Sequence, residues 1–402
     1  MEKKIFDKLL EAIDKVRDEY LENHLVIFQN ESERKRKLYF SSEAMRAKWS
    51  KKQSCIVDGC CNKSIVRSHT IQKSGPIATV AIDSVVLTPT FNLETGNMLL
   101  KNRGINDASV FPGFCQEHEK MFHSFEETKD LHSTEAVILQ LYRTICRELF
   151  RLETQIEILT KLKNEYIKFR DEKFLDLIKN ELTKEWIREN NINLESIKLK
   201  DDPYLELSEN HLNGIIEIHN KLKNDHLKNL EELIKDKKIN DMDNIYPFVV
   251  DVVIPATLSG LGTFYIDEKT KVTVFMGVYP NSEKQETCII LYSNEEDKPY
   301  LKQYFEYFSS YPFGILNMIE QFMIRGTDHW FINPEIWNKK SENQKNIILS
   351  EMLDYKKGIT QPLEFSIFDD VRQEIINYAH GENLTEIETK YLNLEKHKLE
   401  RS

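Results

Sequence analysis

The sequence has no unbroken apolar run of about eighteen residues, the length a helix needs to cross a bilayer, so no membrane span is expected. Its N-terminus, MEKKIFDKLLEAIDKVRDEY, has no apolar core of the kind a secretory signal carries. These two absences imply a cytoplasmic protein. There is no internal repeat and no low-complexity tract, and glycine and proline are sparse at 13 and 11 of 402 residues. Collagen-like and linker-like chains are thereby excluded. Cysteine is scarce too, with six residues at 55, 60, 61, 115, 146 and 288. A reducing cytoplasm argues against a disulfide framework. What is there is ordinary for a globular chain of two or three domains: 40% hydrophobic and 30% charged residues.

Net charge is −11, but it is unevenly spread. Between Arg34 and Lys73 stand eleven Lys and Arg against two acids, Glu43 and Asp58. Tyr39, Phe40 and Trp49 interleave these charges. A basic block with aromatics suits a polyanion, and nucleic acid is the expected partner. The same residues could instead form a solvated helix face with its rings turned to the core.

Hydrophobic spacing divides the chain into four segments. Residues 1–52 hold a helix over 3–24, with Ile5, Leu9, Ile13, Val16 and Tyr20 on one face, and then the basic stretch. Residues 53–130 lose helical periodicity and show short β-branched runs such as Val85-Val86-Leu87. Residues 131–240 form a helical, coiled-coil-like arm. Its stripe runs Ile138, Leu141, Ile145, Leu149, Leu152, Ile156, Leu159, Leu162, Tyr166 and Phe169. Asp201-Asp202-Pro203 breaks the chain, and Leu212 to Ile234 is the expected partner helix. Residues 246–402 read as strands around 248–254, 272–276 and 288–291, then aromatic-rich helix over 298–324. From Glu382 a charged helix or frayed tail is expected. The fold class is α+β: an N-terminal helix, a treble-clef-like zinc module, a long helical arm and a C-terminal α+β domain.

Four of the six cysteines fall in one short stretch, beside histidines. Cys55-x4-Cys60 is one knuckle and Cys115-x2-His118 a second, at the start of a helix. Zinc takes four N or S ligands in a tetrahedron, and two close pairs supply them. Cys61 could replace Cys60, but Asp58-Gly59 offers the tight turn that Cys60 needs. His69 and His123 are competing ligands. Cys146 and Cys288 read as small buried hydrophobes.

Between the knuckles lies Arg67-Ser68-His69-Thr70-Ile71-Gln72-Lys73. A histidine after a β-type run, inside a zinc frame, can take a proton from water or from a ribose 2′-hydroxyl near neutral pH. Arg67 and Lys73 could hold the scissile phosphate. The bland alternative is a buried, hydrogen-bonded histidine.

The order Cys-x4-Cys, Ser-His-x-Ile-x-Lys, Phe-Cys-x2-His-Glu-x2-Phe resembles the HNH, or ββα-metal, nucleases. More narrowly it is similar to bacterial zinc-finger proteins with a Ser-His-x-Ile-x-Lys signature, the ring-activated zinc-finger RNase type of antiphage defence. The resemblance covers about 70 residues. It implies a treble-clef frame, His69 as general base, and Ser68 where those enzymes carry a metal-binding Asp. Glu119 stands where their last histidine follows the second knuckle. It is then a catalytic candidate, either as a ligand of Mg2+ or Mn2+ or as an acid–base partner of His69. Asn97, Asn102 and Asn106 compete for the middle Asn of the pattern. Ser68 is a poorer ligand than Asp, and RNA carries its own nucleophile, so RNA is favoured over DNA. The resemblance also implies a phage-derived protein trigger and a homo-oligomer.

His123, Glu126 and Glu127 follow on the same helix; Glu126 shares a face with Glu119, which would suit metal binding, but a solvated acidic face is the favoured reading. The aromatics Tyr300, Tyr304, Phe305, Tyr307, Phe308, Tyr311, Phe313, Trp330, Phe331 and Trp337 read mainly as core, with a remainder available to a partner. The expected activity is a zinc-stabilised endonuclease. The rival readings are a non-catalytic, zinc-dependent nucleic-acid-binding regulator and a zinc-dependent protein scaffold.

Overall fold

A computed structural model of the protein describes Lys4 and residues 7–15, 47–92, 95, 97–182, 184–193, 202–236, 244–266, 271–311, 313–354 and 357–379. Arg34 to Lys37, Tyr39, Phe40, Ile5, Val16, Tyr20 and the tail from Glu382 lie outside the described residues. The architecture is mixed α+β, as the sequence predicts. No described helix is long and apolar enough to cross a membrane.

Two compact units result, and neither follows the chain in order. One combines 1–48 with 151–221; the other combines 49–150 with 222–402.

The first unit is helical. The helix Thr134–Glu181 runs for 48 residues and supplies this unit from Arg151 onward. Ala12 packs with Phe174 and Ile178 of that helix and with Leu182 just beyond its end, with Leu9 and Ile13 at the margin. A second helix, Pro203–Lys221, pairs with it through Lys163–Glu209 and His219–Glu153. Asp202, one residue before that helix, accepts a 2.8 Å hydrogen bond from Tyr166 and faces Arg170. The Asp-Asp-Pro break thus marks where the partner helix begins, earlier than its apolar stripe implies.

The second unit is built on an antiparallel seven-stranded sheet. Its strands are β2 (Val85–Asn92), β3 (Asn97–Gly104), β5 (Ile245–Val250), β6 (Ala256–Tyr265), β7 (Lys271–Asn281), β8 (Glu286–Tyr292) and β9 (Trp330–Ile332), in the order β3-β2-β9-β6-β7-β8-β5. A separate two-stranded ribbon joins β1 (Ser68–His69) to β4 (Val110–Phe111), with Ser68 opposite Phe111 and His69 opposite Val110. β6 and β7 are buried along nearly their whole length, although β6 carries Thr257, Ser259 and Thr263 among its apolar residues. The helices Lys298–Ser309 and Gly314–Arg325 cover one face. Gly262 permits this approach, since a Cβ there would fall 2.6 Å from the Phe322 ring.

Most of the aromatic set goes into this core: Tyr304, Phe308, Phe313, Trp330, Phe331 and Trp337 are buried, and Tyr307 is exposed. The β2–β3 hairpin belongs to the same sheet as the C-terminal strands, because Leu87 pairs with Ile332. The stretch 53–130 therefore shares its sheet with part of 246–402.

The opposite face of β6 and β7 is polar where the long helix begins. Thr144 Oγ1 lies 2.6 Å from Ser259 Oγ, and the Tyr279 hydroxyl donates to Ser259 Oγ at 3.1 Å. His329 Nδ1 donates to the Ser259 carbonyl at 2.6 Å, which leaves Nε2 to accept from Ser109 Oγ at 3.1 Å. Burial, with Arg147 nearby, depresses this imidazole to about 3, so it stays neutral. Buried polar groups of this kind stabilise only when fully partnered, and this row is partnered along its length.

Candidate metal centre and the strand end beside it

The first knuckle is a turn closed by Cys60 N–H donating to the Val57 carbonyl at 3.1 Å. Gly59 sits at φ +71, the left-handed conformation that glycine adopts without a Cβ penalty. Cys55 N–H donates to the Asn62 carbonyl at 3.0 Å and closes the turn around the thiols. The second knuckle begins at Cys115, which precedes the short helix Gln116–Glu119. Two backbone bonds fasten the knuckles together: Ile56 N–H to the Gly113 carbonyl at 2.9 Å and Ile65 N–H to the Phe114 carbonyl at 2.7 Å.

Cys55, Cys60, Cys115 and His118 converge, with ligand atoms all within 4.8 Å of one another. Cys55 Sγ to His118 Nδ1 is 3.3 Å, Cys115 Sγ to His118 Nδ1 3.4 Å, and Cys60 Sγ to Cys115 Sγ 3.9 Å. Bonds of about 2.3 Å to sulfur and about 2.0 Å to nitrogen give tetrahedron edges of about 3.6–3.8 Å, which these separations match. The cluster could hold a metal ion such as zinc. Burial works against ionisation of Cys115, but the backbone N–H groups of His118 and Glu117 overcome it and draw the thiol down to about 6. A thiol so placed is ready to serve as a thiolate ligand. Cys61 is exposed and stays out of the cluster, as do His69 and His123.

His69 stands at the end of β1, half-buried. Its Nδ1 lies 3.0 Å from the Ala108 carbonyl. A carbonyl only accepts, so Nδ1 carries the proton and Nε2 the lone pair. Nε2 has no hydrogen-bond partner among the described residues. The flanking backbone is held on both sides. Thr70 N–H donates to the Ser109 carbonyl at 2.8 Å, Ile71 N–H to Ser109 Oγ at 2.8 Å, and Gln140 Nε2 to the Thr70 carbonyl at 2.9 Å. Burial, then the charges of Arg143, Lys73 and Arg67, lower the His69 imidazole to about 4 against the opposing Ala108 bond.

Arg67 and Lys73 are exposed on this side. Arg67 pairs with Asp107 at 3.1 Å and Lys73 donates to Asn106 Oδ1 at 3.2 Å. Among the three competing asparagines, Asn106 is the one whose side chain meets a basic residue of the motif. Asn97 and Asn102 lie on β3.

Glu119 has both oxygens engaged. Ser68 Oγ donates to Oε2 at 2.5 Å and Arg143 Nη2 binds Oε1 at 2.6 Å. Arg143 Nη1 binds Glu126 Oε1 at 2.7 Å, and its guanidinium lies over Phe122 at 4.1 Å. Glu126 is therefore tied to a buried cation, which corrects the expectation of a solvated acidic face. Trp49 also departs from a base-stacking role. Its ring meets Phe150 edge-on at 5.1 Å and lies under Arg147 at 5.7 Å. The indole is thus engaged by a phenylalanine and a guanidinium of its own chain.

Sequence reasoning missed Arg143, Gln140, Ser109 and His329. Gln140 and Arg143, set beside the apolar stripe of the long helix, look like solvent-facing positions until tertiary contacts bury them. Compared with known proteins, the chain matches no family model, no curated protein and no solved structure.

Proposed function

We propose that the protein is a zinc-stabilised, HNH-like endonuclease that cleaves RNA, with His69 as general base. One observation carries the reading. His69 has the tautomer a base needs, with Nδ1–H on the Ala108 carbonyl and Nε2 left for substrate, beside the exposed Arg67 and Lys73. Zinc at Cys55, Cys60, Cys115 and His118 fixes the two knuckles and takes no part in proton transfer. His69 Nε2 removes the ribose 2′-hydroxyl proton, and the 2′-oxygen attacks phosphorus. The P–O5′ bond breaks, the 5′-oxygen takes a proton from water, and a 2′,3′-cyclic phosphate remains. Arg67 and Lys73 offset the charge that grows on the phosphoryl oxygens. Glu119, with both oxygens engaged, acts by positioning rather than as an acid–base partner or a ligand of Mg2+ or Mn2+.

The resemblance of the Ser-His-x-Ile-x-Lys stretch also supports a place in antiphage defence, with cleavage held back until a protein trigger assembles the chain into an oligomer. Elution as the same monomer with and without a candidate phage protein counts against that part.

The deciding experiment incubates wild type and His69→Ala with labelled RNA and DNA, with and without added Mg2+. Once activated, wild type should cut RNA to cyclic-phosphate ends without Mg2+. His69→Ala should lose on the order of 10²–10⁴ in rate, the usual share of a general base, and keep about one zinc per chain. A His69→Ala protein that cuts normally ends the catalytic reading. Binding without cutting by both proteins would favour the non-catalytic regulator.

A further inference from the structure

The proposed chemistry uses a single imidazole, and the imidazole is only as well placed as the strand end that carries it. β1 is two residues long, too short to be rigid through its own two backbone pairings. Something else must fix Ser68 and His69. The candidates are the groups that reach them from outside the ribbon: Ser109 and Gln140 on the residues after His69, and Glu119 on Ser68.

Of these, the Glu119 contact leads to the most unusual feature of the unit. Ser68 is fully buried and its hydroxyl has one acceptor, Glu119 Oε2. The other oxygen of that carboxylate meets Arg143, whose side chain has no solvent exposure at all. The same guanidinium meets Glu126, so one buried cation stands between two carboxylates. Isolated buried charge is expensive, and a guanidinium survives there only when paired with good geometry. The pairing is two-sided: Arg143 needs Glu119 and Glu126, and Glu119 is orientated by Arg143 and Ser68 together. The path from Arg143 to the base is Arg143, Glu119, Ser68, then the peptide bond to His69.

In a site with Ser68 and Glu119 at these positions, a divalent cation could be expected to organise the carboxylates. Here that task has an occupant. We propose that Arg143 is the positioning residue of this site: its guanidinium takes the role of the bridging cation, neutralising Glu119 and Glu126 and locking Ser68, and thereby the strand end that presents His69. The proposal rests on the reading of His69 as the base, but its test does not.

The test is NMR on the full-length, zinc-loaded chain with isotope-labelled histidine, the His69 signals being assigned with His69→Ala. It reads the tautomer and titration of His69 without any cleavage assay. The charged groups facing His69 are Arg143 from the long helix and Arg67 and Lys73 from its own segment, with Asp107 paired to Arg67. In Arg143→Gln the midpoint should move up from about 4 towards 6.5, and the Nδ1–H form should lose its dominance. Arg143→Lys should restore the midpoint but not the tautomer, because a lysine cannot bridge two carboxylates in a planar fork.

Should Arg143→Gln fail to fold, Ser68→Ala serves as the second variant. It keeps every charge and cuts only the link to the strand. It should leave the midpoint near 4 and release the tautomer. Titration of Mn2+ followed by electron paramagnetic resonance completes the test. Wild type should bind no Mn2+ that Glu119→Gln removes.

An unaltered His69 tautomer in Ser68→Ala overturns the proposal. So does one Mn2+ per chain in wild type that is lost in Glu119→Gln. If His69 responds as expected in Arg143→Gln and Ser68→Ala while wild type cuts no RNA, positioning stands and the nuclease reading fails.

Discussion

The Cys55–Cys60–Cys115–His118 cluster and the Ser68–Glu119–Arg143 chain meet on one four-residue helix, Gln116–Glu119, yet they are held together by different physics. The cluster gathers two short turns whose ligands are spaced within each turn, and a metal ion would close it with strong, directional bonds. The chain gathers a serine from a two-residue strand, a glutamate from the short helix and an arginine from the long helix. No strong bond closes it. It persists because a buried charge without partners would be worse. The difference teaches that two adjacent residues, His118 and Glu119, can belong to structures with opposite vulnerabilities: one to metal loss, the other to loss of a distant side chain.

Substitution at the cluster should have the largest effect. Cys115→Ser is expected to lose its zinc and to unfold the knuckles, because the apparent free energy of structural zinc binding, about 10–16 kcal/mol, is available to folding. Metal analysis and near-ultraviolet circular dichroism would read this. A fully folded Cys115→Ser protein with one zinc would erase the contrast between the two structures. Next comes Arg143→Gln, which leaves Glu119 and Glu126 without their buried partner and should cost about 3–5 kcal/mol in urea unfolding. Zinc content should stay near one per folded chain. Simultaneous loss of zinc would mean that the two structures are one.

The acid limb of cleavage sharpens the comparison further. Unfolded, His69 titrates near its ordinary 6.5; folded, it titrates near 4. The folded protein therefore binds fewer protons in that window. Its stability from this group is complete above about pH 6.5 and falls as pH drops towards 4. Cleavage, which needs the neutral ring, should hold through pH 5–6 and fail only near 4. A limb centred at 6.5 would show that neither burial nor the cations around His69 act on it.

The smallest effect is expected at Arg67→Gln. Its pair with Asp107 is exposed on both sides, so stability should change by less than about 1 kcal/mol. Binding of single-stranded RNA to a His69→Ala background should lose about 0.7 from its log–log salt slope, the value of one phosphate contact. An unchanged slope would remove Arg67 from the substrate path.

What could be read from the sequence follows the same division. Cys-x4-Cys and Cys-x2-His are legible because ligand spacing within a turn is a local property. Asp58-Gly59 identified Cys60 over Cys61 for the same reason, through the backbone that Gly59 adopts. The strands β7 and β8 were legible as β-branched runs, and the long helix as an apolar stripe. The partnership of Leu87 with Ile332 was not, because register across so long an interval is fixed by packing and leaves no mark in either segment. Arg143 sits between Leu141 and Ile145, where a charge on a helix ordinarily points to water. Only the arrival of Phe122, Glu119 and Glu126 buries it.

The β1–β4 ribbon has one more consequence. Its two halves are the ends of a long excursion, and the middle of that excursion is β2 and β3, whose neighbour in the sheet is β9. A ribosome that has made the knuckles and His69 has therefore not yet made what β2 leans on. A messenger cut short ahead of Trp330, or a protease cleaving there, should release a fragment with all its ligands and its imidazole but no competent centre. If the protein cleaves RNA as proposed, that arrangement would keep half-made copies harmless to the cell that makes them.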